Sequence, residues 1–266
     1  MNSHDKADIP SVNAVSDDEV FADGNMTPVV RRGDEVRRTR SPWWRASAAV
    51  LNHLENEGFE RAPQLLGYEG ETERLTFMLG ESASASLEGF ENDDVLIEIG
   101  RMIRSYHDAM RTFVDPGNIV WPVMVGVPKG DGTICHNDIA PWNTIFRELT
   151  PVALIDWDLV APSTRAWDLA YAAWRFAPLY PDEHYGSPAE RLRRISVLLD
   201  AYELPIAERS DFIPLIRALM HTSYETVEVW GKRGVPGFDK LYREKMHVDA
   251  LECIRWLEAH LLRPGE

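Results

Sequence analysis

The sequence is poor in cysteine and has no long apolar run. Its two cysteines, Cys135 and Cys253, are too few for a disulfide framework. No segment approaches the roughly 18 consecutive apolar residues of a membrane span. The N-terminus lacks the basic start and the apolar run of a signal peptide. These absences predict a cytoplasmic protein with no membrane partner.

Basic residues are scarce relative to acidic ones. The chain of 266 residues carries 28 Lys and Arg against 43 Asp and Glu, a net charge of −15 at pH 7. A nucleic-acid backbone requires a basic surface, so we expect no nucleic-acid partner. The charge is compatible with a cationic substrate and equally with ordinary solubility. With 44% hydrophobic residues, the chain can build one large or two small domains.

The residues best suited to chemistry concentrate in one stretch near the middle of the chain. His136, Asp138 and Asn143 form an H-x-D-x-x-x-x-N run. Two apolar segments, residues 144–146 and 152–155, follow this run with a turn between them. Such a pattern predicts a two-stranded hairpin.

The predicted hairpin folds its two ends together. Asn143, just before it, and Asp156, just after it, should therefore lie side by side. An amide oxygen beside a carboxylate is a plausible site for Mg²⁺ bound to substrate phosphates. Asp138 precedes the hairpin and is placed to accept the proton of an attacking hydroxyl. This arrangement predicts phosphoryl transfer.

Three motifs carry a resemblance to a known family. H-N-D-I-A-P-W-N at 136–143, L-I-D-W-D at 154–158 and W-D-L-A at 167–170 resemble the aminoglycoside phosphotransferases, kinase-like enzymes that act on small molecules. The resemblance implies a two-lobed, protein-kinase-like α+β fold, with a small antiparallel-sheet N-lobe and a mostly helical C-lobe. It also implies ATP or GTP as phosphate donor, Mg²⁺ as cofactor and a small-molecule hydroxyl acceptor.

The resemblance divides the chain into three parts. Residues 1–18 are expected to form a mobile tail, residues 19–80 the nucleotide-binding N-lobe, and residues 81–266 the catalytic and substrate-binding C-lobe. Three short strands are predicted at the start of the N-lobe. The first turn, with Gly24 and Asn25, would lie over the nucleotide phosphates, although a single glycine is more often just a hairpin turn.

In the resembled fold the third strand carries a lysine that reaches the phosphates. The candidates here are Arg37 and Arg38, and strand alternation allows only one of them to enter the cleft. Aligning Val36 with the family's preceding apolar residue favours Arg37, whose guanidinium can bind phosphate in a bidentate way. The family's helix glutamate, which pairs with that lysine, is replaced here by Ser47.

Further roles follow from the resemblance alone. The next apolar strand is similar to the hinge between lobes, where Leu75 would back the nucleotide base and the backbones of Thr76 and Met78 would contact it. His136 is expected to orient the catalytic loop. Asp168 resembles the buried aspartate that braces this loop through backbone hydrogen bonds.

Apolar periodicity predicts helices over most of the C-lobe. One is expected to begin at Pro162, with Trp167, Tyr171 and Trp174 on a single face, and we interpret this aromatic stripe as core. A single helix is predicted over residues 239–262. Further helices are predicted to start at Ser41-Pro42 and to span residues 92–113, 188–202 and 207–231.

Acidic residues in the expected acceptor wall suggest an amine-bearing acceptor. These residues are Asp182, Glu183, Glu225 and Glu228. Glu225 and Glu228 are three apart on a predicted helix and therefore share a face. If that face points to solvent, the pair is only a solvated helix surface. Asp158, two residues after Asp156, is a candidate for substrate or second-metal contact, or for a turn cap.

Two alternatives remain open from the sequence. The acceptor can be a choline-like, amino-alcohol or sugar metabolite rather than an aminoglycoside-like compound. The chain can also be a weakly active, nucleotide-binding regulatory protein. The absent lysine and helix glutamate favour the second alternative, whereas the intact H-x-D-x-x-x-x-N run and the following aspartate oppose it.

Overall fold

The computed structural model describes residues 18–21, 29–83, 92–130 and 132–262. The predicted tail falls outside this part of the chain except for Asp18, which begins the first strand rather than ending a tail. Gly24 and Asn25, predicted to lie over the phosphates, also fall outside it.

The small lobe is built on a five-stranded antiparallel sheet. The three predicted N-terminal strands are confirmed, and they are joined by the two strands that follow the first helix. The sheet has the order β1-β2-β3-β5-β4. Its strands are β1 (Asp18–Phe21), β2 (Val29–Arg32), β3 (Glu35–Thr39), β4 (Leu65–Glu69) and β5 (Thr72–Thr76).

The pairing of β3 with β5 sets which side chains share a face. Val36 lies opposite Leu75, and Arg38 lies opposite Glu73. Because side chains alternate along a strand, these four residues lie on one face of the sheet. Leu75 and Glu73 are buried, so this face is turned toward the interior. Arg37 lies on the opposite face of the sheet.

Helix α1 (Trp44–Asn56) lies between β3 and β4. The predicted start, with Ser41 as cap and Pro42 as the first helical residue, is wrong by two residues, because the cap is Trp43 and the helix begins at Trp44. The Ser41 hydroxyl accepts a hydrogen bond from the Trp43 amide over 3.3 Å, within the turn that precedes the helix. The buried face of α1 contains Ala46, Ser47, Val50, Leu51 and Leu54.

The hairpin predicted after the H-x-D-x-x-x-x-N run, here called the catalytic hairpin for its expected role, is confirmed. Strands β8 (Thr144–Arg147) and β9 (Thr150–Leu154) pair antiparallel, with Thr144 opposite Leu154. A short strand β6 (Glu81–Ser82) extends this hairpin to a three-stranded sheet. A second small sheet pairs β7 (Thr133–Cys135) with β10 (Ala161–Ser163). The two small sheets flank the loop that carries the H-x-D-x-x-x-x-N run.

Six helices make up most of the described large lobe. They are α2 (Asp93–Ala109), α3 (Arg165–Phe176), α4 (Pro188–Tyr202), α5 (Phe212–Lys232), α6 (Phe238–Arg243) and α7 (Asp249–His260). Side-chain caps fix three of their starts: Asn92, Thr164 and Ser187 each accept a hydrogen bond from a backbone amide of the first turn. In the described part of the chain, no helix has the length and apolar character needed to cross a membrane.

Three helix predictions in the large lobe need correction. The helix predicted over residues 207–231 begins only at Phe212, after a separate 3-10 helix at Ile206–Glu208. Residues 161–163 form β10 instead of a helix start, and α3 begins only after the Thr164 cap. The helix predicted over residues 239–262 is divided into α6 and α7. Lys245 adopts a left-handed conformation with φ of 58°, which an α-helix cannot contain, and a short 3-10 helix, Met246–Val248, connects the two parts.

One hydrophobic core connects the two lobes. Buried residues of α1 pack with those of α2, and Tyr106 on α2 makes an edge contact with Trp157 at a centroid distance of 5.1 Å. Trp157 comes shortly after β9, the second strand of the hairpin, which ends at Leu154. The candidate site therefore rests on this core, because buried residues of the hairpin, α1 and α2 belong to one hydrophobic cluster.

Candidate active site

The catalytic loop is held in place by a buried carboxylate. Asp168, at the start of α3, accepts hydrogen bonds from the backbone amides of His136 at 2.9 Å and Asn137 at 2.7 Å. His107 Nε2 lies 3.1 Å from the same carboxylate. Burial alone would raise the pKa of Asp168, but its bonds to His107 and to the loop outweigh burial and lower it. The arrangement supports the bracing role expected for this residue.

The same brace fixes an unusual backbone conformation. Asn137 has a φ of 65°, in the left-handed region that asparagine tolerates better than most residues. Its side-chain amide donates to the carbonyls of Cys135 at 3.2 Å and Leu159 at 2.9 Å. These bonds tie the loop to the end of β7 and to the short 3-10 helix, Trp157–Leu159, that precedes β10. The turn at Asn137 determines the direction in which the next residue, Asp138, leaves the loop.

Asp138 is partly buried at the base of the cleft, between two hydrogen-bond donors. Asn143 Nδ2 donates to Asp138 Oδ2 over 2.7 Å. The Tyr171 hydroxyl forms a second hydrogen bond with the carboxylate. Burial raises the pKa of Asp138 to about 7, against the opposing effect of these two bonds. A carboxylate with a pKa in this range is suited to general-base chemistry near neutral pH.

The hairpin brings Asn143 and Asp156 together, as its pattern predicts. The Ile155 amide donates to the Asn143 carbonyl over 2.9 Å, so the chain entering the hairpin lies against the chain leaving it. Asp156 follows with a left-handed backbone, φ of 61°, which turns it out of the strand. His136 Nε2 donates to the Ile155 carbonyl over 3.1 Å and joins the catalytic loop to the same strand end. This placement supports the structural role expected for His136.

The oxygen atoms at this point suit a divalent cation such as Mg²⁺. Asn143 uses its amide nitrogen for Asp138, which leaves its Oδ1 available as a ligand. The Asp156 side chain is 37% exposed, so its carboxylate is open to the cleft. Amide and carboxylate oxygens are the hard donors that Mg²⁺ prefers, and few protein ligands are needed when phosphates supply the rest.

Arg38, rather than Arg37, extends from the small lobe into the cleft. Its Nη1 lies 3.1 Å from Asp156 Oδ1, and its Nη2 lies 2.7 Å from Asp158 Oδ1. Its Nε donates to Glu73 Oε2 over 2.9 Å. One guanidinium therefore spans three carboxylates and connects the small lobe to the chain segment after the catalytic hairpin.

The choice of Arg37 is corrected by this geometry. Arg37 points to the other face of the sheet, where it pairs with Glu35 at 3.2 Å and Glu69 at 3.0 Å. The expectation that only one of the two arginines enters the cleft holds, but the one-residue alignment on Val36 selected the wrong member. Val36 lies on the interior face, and the residue two positions later shares that face.

Glu73 is a site residue that sequence reasoning missed. Only 1% of its side chain is exposed, and it lies directly opposite Arg38 in the sheet. The helix position that resembles the family's glutamate holds Ser47, whose hydroxyl instead donates to the Trp157 carbonyl over 3.0 Å. A carboxylate from β5 thus contacts the strand arginine where the resemblance implied one from the helix. Only the pairing of β3 with β5 shows that Glu73 faces Arg38.

Asp158 is a partner of Arg38. The two side chains form a two-pronged contact, with Arg38 Nη1 at 3.2 Å and Nη2 at 2.7 Å from the two carboxylate oxygens. Burial and the neighbouring carboxylates raise the pKa of Asp158 to about 6, while Arg38 opposes the rise. The carboxylate is engaged within the protein, so the structure does not present it as a free contact for the acceptor.

The expected hinge residues lie at the end of β5. Leu75 is buried in the core, in keeping with an apolar residue behind the nucleotide base. The Thr76 amide donates to the Gln64 carbonyl over 3.0 Å, so this donor is used inside the small lobe. The predicted backbone contact of Thr76 with the nucleotide therefore stays a prediction that only its carbonyl group can fulfil. Met78 follows the sheet and stays a prediction.

The acidic pair on α5 is only partly available to an acceptor. Glu225 is exposed, while Glu228 forms ion pairs with Lys232 and, at 3.1 Å, with His247 Nε2. These partners lower the pKa of Glu228. Because Glu228 is already neutralised by groups of the protein, charge alone no longer favours an amine-bearing acceptor.

Tyr171 and Arg175 form a part of the site that the sequence pattern concealed. Tyr171 was assigned to a core stripe, yet its hydroxyl contacts Asp138. Arg175, one helical turn later, donates to the Tyr171 hydroxyl over 3.4 Å. The stripe assignment holds, because Trp167 and Trp174 are buried and the partly buried Tyr171 packs against the same core. Helical periodicity identifies the face of α3, but it does not reveal which end of that face meets the catalytic loop.

Comparison with known proteins agrees with this geometry. The sequence model of the phosphotransferase enzyme family (APH) matches residues 120–194 of this chain. The chain is also 34% identical over 222 residues to the trifolitoxin immunity protein of Rhizobium leguminosarum bv. trifolii, with 79% of this chain and 84% of that protein covered. The chain belongs to the phosphotransferase enzyme family. It is a small-molecule phosphotransferase, as the resemblance to aminoglycoside phosphotransferases implied.

Solved structures of this phosphotransferase's fold include small-molecule kinases. Amicoumacin kinase hAmiN, in complex with AMP-PNP, Ca²⁺ and Ami, matches with a TM-score of 0.63 at 10% identity, covering 79% of this chain and 80% of that one. Plasmodium vivax ethanolamine kinase matches with a TM-score of 0.62 at 13% identity, covering 92% and 84% of the two chains. At such low identity these matches show the fold, and the kinase-like two-lobed architecture is confirmed.

Proposed function

We propose that this phosphotransferase moves the γ-phosphoryl group of ATP, with Mg²⁺ as cofactor, to a hydroxyl of a small molecule. The observation that carries the proposal is the convergence of Asp138, Asn143 and Asp156 at the ends of one hairpin. Asp138 and Asn143 are joined at 2.7 Å, and the strand that ends before Asp156 is bonded to Asn143 at 2.9 Å. These are the oxygen groups that a base and a metal site for phosphoryl transfer require.

Each of these residues has a distinct role in the proposal. Asp138 orients the acceptor hydroxyl and accepts its proton. Asn143 Oδ1 and the Asp156 carboxylate would hold Mg²⁺, which neutralises charge on the phosphate oxygens when bound. Arg38 enters the cleft beside Asp156, where its guanidinium can exchange carboxylate contacts for contacts with the nucleotide phosphates.

ATP is the donor we would test first. The amicoumacin kinase of the same fold was solved with AMP-PNP, an analogue of ATP. The hinge predicted at Leu75 and Met78 does not by itself distinguish adenine from guanine, so GTP is the matched comparison. The complete set of catalytic oxygens supports an active enzyme over the weakly active regulatory alternative.

A toxic compound is the acceptor class that a specific observation favours. The 34% identical relative is a trifolitoxin immunity protein, so its printed name links a chain of this sequence type to protection from a toxin. We propose that the present chain phosphorylates a toxin and that the added charge blocks the toxin's action. This second proposal concerns the acceptor alone and does not affect the assignment of the phosphotransferase site.

Replacement of Asp138 tests both proposals. Asp138→Asn keeps the shape of the side chain but removes the base, so turnover of MgATP with an accepted compound should fall roughly 10²–10⁴-fold. Nucleotide affinity, measured by calorimetry, should change little. Turnover equal to that of the unmodified protein would show that Asp138 is not the base.

The same variant separates toxin phosphorylation from toxin binding. A trifolitoxin-sensitive host would express either the unmodified chain or Asp138→Asn at matched levels, and growth would be measured across toxin concentrations. Protection by the unmodified chain and its loss in the variant support phosphorylation. Equal protection by both would indicate sequestration, and protection by neither would remove trifolitoxin as the acceptor.

A further inference from the structure

An aromatic box lies next to the catalytic base, and a side chain of the protein occupies it. The Arg175 guanidinium carbon lies 3.6 Å from the ring centroid of Trp174, 5.0 Å from that of Trp142 and 5.1 Å from that of Tyr171. Trp142 belongs to the catalytic loop and is 39% exposed, so one wall of the box reaches the cleft surface. We refer to Trp142, Tyr171 and Trp174 as the aromatic box.

Arg175 is bound by hydroxyl groups rather than by a carboxylate. Its Nη1 donates to the Tyr180 hydroxyl over 3.1 Å, and its Nη2 donates to the Tyr171 hydroxyl over 3.4 Å. Its Nε is buried and has no hydrogen-bond partner. Within the described ranges no carboxylate forms a salt bridge with Arg175, so its charge is not neutralised by direct contact.

The positive charge of Arg175 is directed at the base. Tyr171 accepts a hydrogen bond from Arg175 and shares one with Asp138, so a single hydroxyl separates the guanidinium from the catalytic carboxylate. Across this short distance, the positive charge of Arg175 favours the ionised form of Asp138 and lowers its pKa. A substrate hydroxyl that reaches Asp138 must therefore place its neighbouring atoms close to a fixed cation.

Apart from Asp138 itself, the nearby carboxylates are engaged by basic groups of the protein. Asp156 and Asp158 pair with Arg38, and Glu228 pairs with Lys232. The acidic net charge of the chain is thus a poor guide to the potential beside Asp138. What an acceptor meets there is set by the aromatic box and by the guanidinium inside it.

We propose that Arg175 fills, from within the chain, an aromatic box of the kind that binds cationic ligands. Aromatic faces attract one cation strongly, and once Arg175 occupies them they are not available to a substrate ammonium group. A second positive charge beside the first would also be repelled in a poorly hydrated site. The acceptor subsite therefore takes hydroxyl compounds that are neutral or anionic next to the reacting hydroxyl and rejects cationic ones.

This inference rests on the proposed function, because the acceptor subsite is defined by Asp138 as the base. It separates the chain from a choline-like or amino-alcohol kinase, a class that the fold alone leaves open. The ethanolamine kinase of the same fold has a TM-score of 0.62 to this chain, so the architecture permits such an acceptor. The occupant of the box, and not the fold, decides the charge of the acceptor.

The test removes the Arg175 guanidinium from the aromatic box and measures whether the box then binds a small cation. Tetramethylammonium binding to the full chain would be followed by ligand-observed NMR, for the unmodified protein and for Arg175→Met. The unmodified protein should give no saturable signal, and the variant should bind because its aromatic faces are free. Saturable binding to the unmodified protein, or no binding to a folded Arg175→Met variant, would overturn the proposal.

Arg175→Lys is the matched control, because it keeps a positive charge in the box. It should bind no tetramethylammonium, and binding by this variant counts against the proposal. If Arg175→Met fails to fold, as judged by circular dichroism, the proposal is tested on the unmodified chain instead. There choline is compared with 3,3-dimethylbutan-1-ol, its neutral isostere, and any saturable choline binding contradicts the proposal while its absence supports it.

The NMR experiment is independent of catalysis. Loss of the proposed phosphotransfer would appear as absent Mg²⁺-dependent ATP turnover or as an unaffected Asp138→Asn variant. Failure of the box proposal would appear as the wrong pattern of tetramethylammonium binding. The two failures are therefore distinguishable. Where an accepted compound is found, kcat/KM for its cationic analogue should be at least about tenfold lower than for its neutral one.

Discussion

The guanidinium of Arg38 lies against the carboxylate of Glu73, with 2.9 Å between Nε and Oε2. The two residues face each other across β3 and β5, and both are largely buried, with side-chain exposures of 11% and 1%. The contact leaves the two Nη atoms of Arg38 free to point at Asp156 and Asp158. Glu73 thus holds the Arg38 guanidinium in the orientation in which it faces Asp156 and Asp158.

Removal of Arg38 should weaken triphosphate binding selectively. Arg38→Ala deletes a charged donor beside Asp156, and hydrogen bonds to charged groups contribute about 1.5–3 kcal/mol. We expect ATP affinity to fall roughly 10–100-fold, with little change for adenosine. Calorimetry with both ligands measures the difference. Arg37→Ala is the control on the opposite face of the sheet, and a larger effect from that variant would reverse the assignment.

Glu73→Gln should reproduce part of this effect without touching the nucleotide. The amide keeps the size of the side chain but loses the charge that holds the Arg38 Nε group. ATP affinity should fall while adenosine affinity is retained, and the protein should remain folded by circular dichroism. Glu69→Gln is the matched control, because Glu69 pairs with Arg37 and is 54% exposed. Equal losses from the two variants would argue against an orienting role.

Asp156 and Asp158 should respond differently to Mg²⁺. Asp156→Asn removes a proposed metal ligand, so the increase in ATP affinity on adding Mg²⁺ should largely disappear. Asp158→Asn removes a partner of Arg38 and should change ATP affinity by the same factor with and without Mg²⁺. Titrations of ATP at zero and at saturating Mg²⁺ give, for each variant, the factor by which Mg²⁺ increases ATP affinity. Full Mg²⁺ enhancement in Asp156→Asn would mean that the metal is held elsewhere.

Asp168→Asn should destabilise the fold. The variant turns one acceptor oxygen into a donor that faces His107 and two backbone amides, and leaving a buried polar group unsatisfied costs about 1–3 kcal/mol. Denaturant unfolding at pH 7 measures this loss. Asp108→Asn is a suitable control, because Asp108 makes its ion pairs at a side chain that is 39% exposed.

The loss should depend on pH with a defined sign. The folded-state pKa of Asp168 is lowered, so its contribution is fully present above the unfolded pKa of about 3.9 and is lost as pH falls through the lower folded value. The stability difference between the unmodified chain and Asp168→Asn should be constant from about pH 5 to 8 and narrow below about pH 4. A difference that narrows with rising pH would contradict the assignment.

The sequence alone was enough to predict the candidate catalytic centre, for a physical reason. Asp138, Asn143 and Asp156 lie on either side of one short hairpin, and hairpins are recognised from local alternation and turn residues. The distance between the two metal-site residues therefore depends on neighbouring parts of the chain only. The bracing role of Asp168 was expected from its motif, and the bonds to His136 and Asn137 support it.

Tertiary structure decided the surroundings of that centre. Arg38 meets Asp158 across 120 positions and Glu73 across 35, and no local pattern encodes either pairing. Which arginine enters the cleft depends on the register of β3 against β5, because a shift of one residue exchanges the two faces of a strand. The Tyr171 ring packs against the core, and its hydroxyl reaches Asp138 because packing places that end of α3 against the loop that carries Asp138. Local periodicity fixes which residues share a face, and only the packing of distant elements fixes what that face contacts.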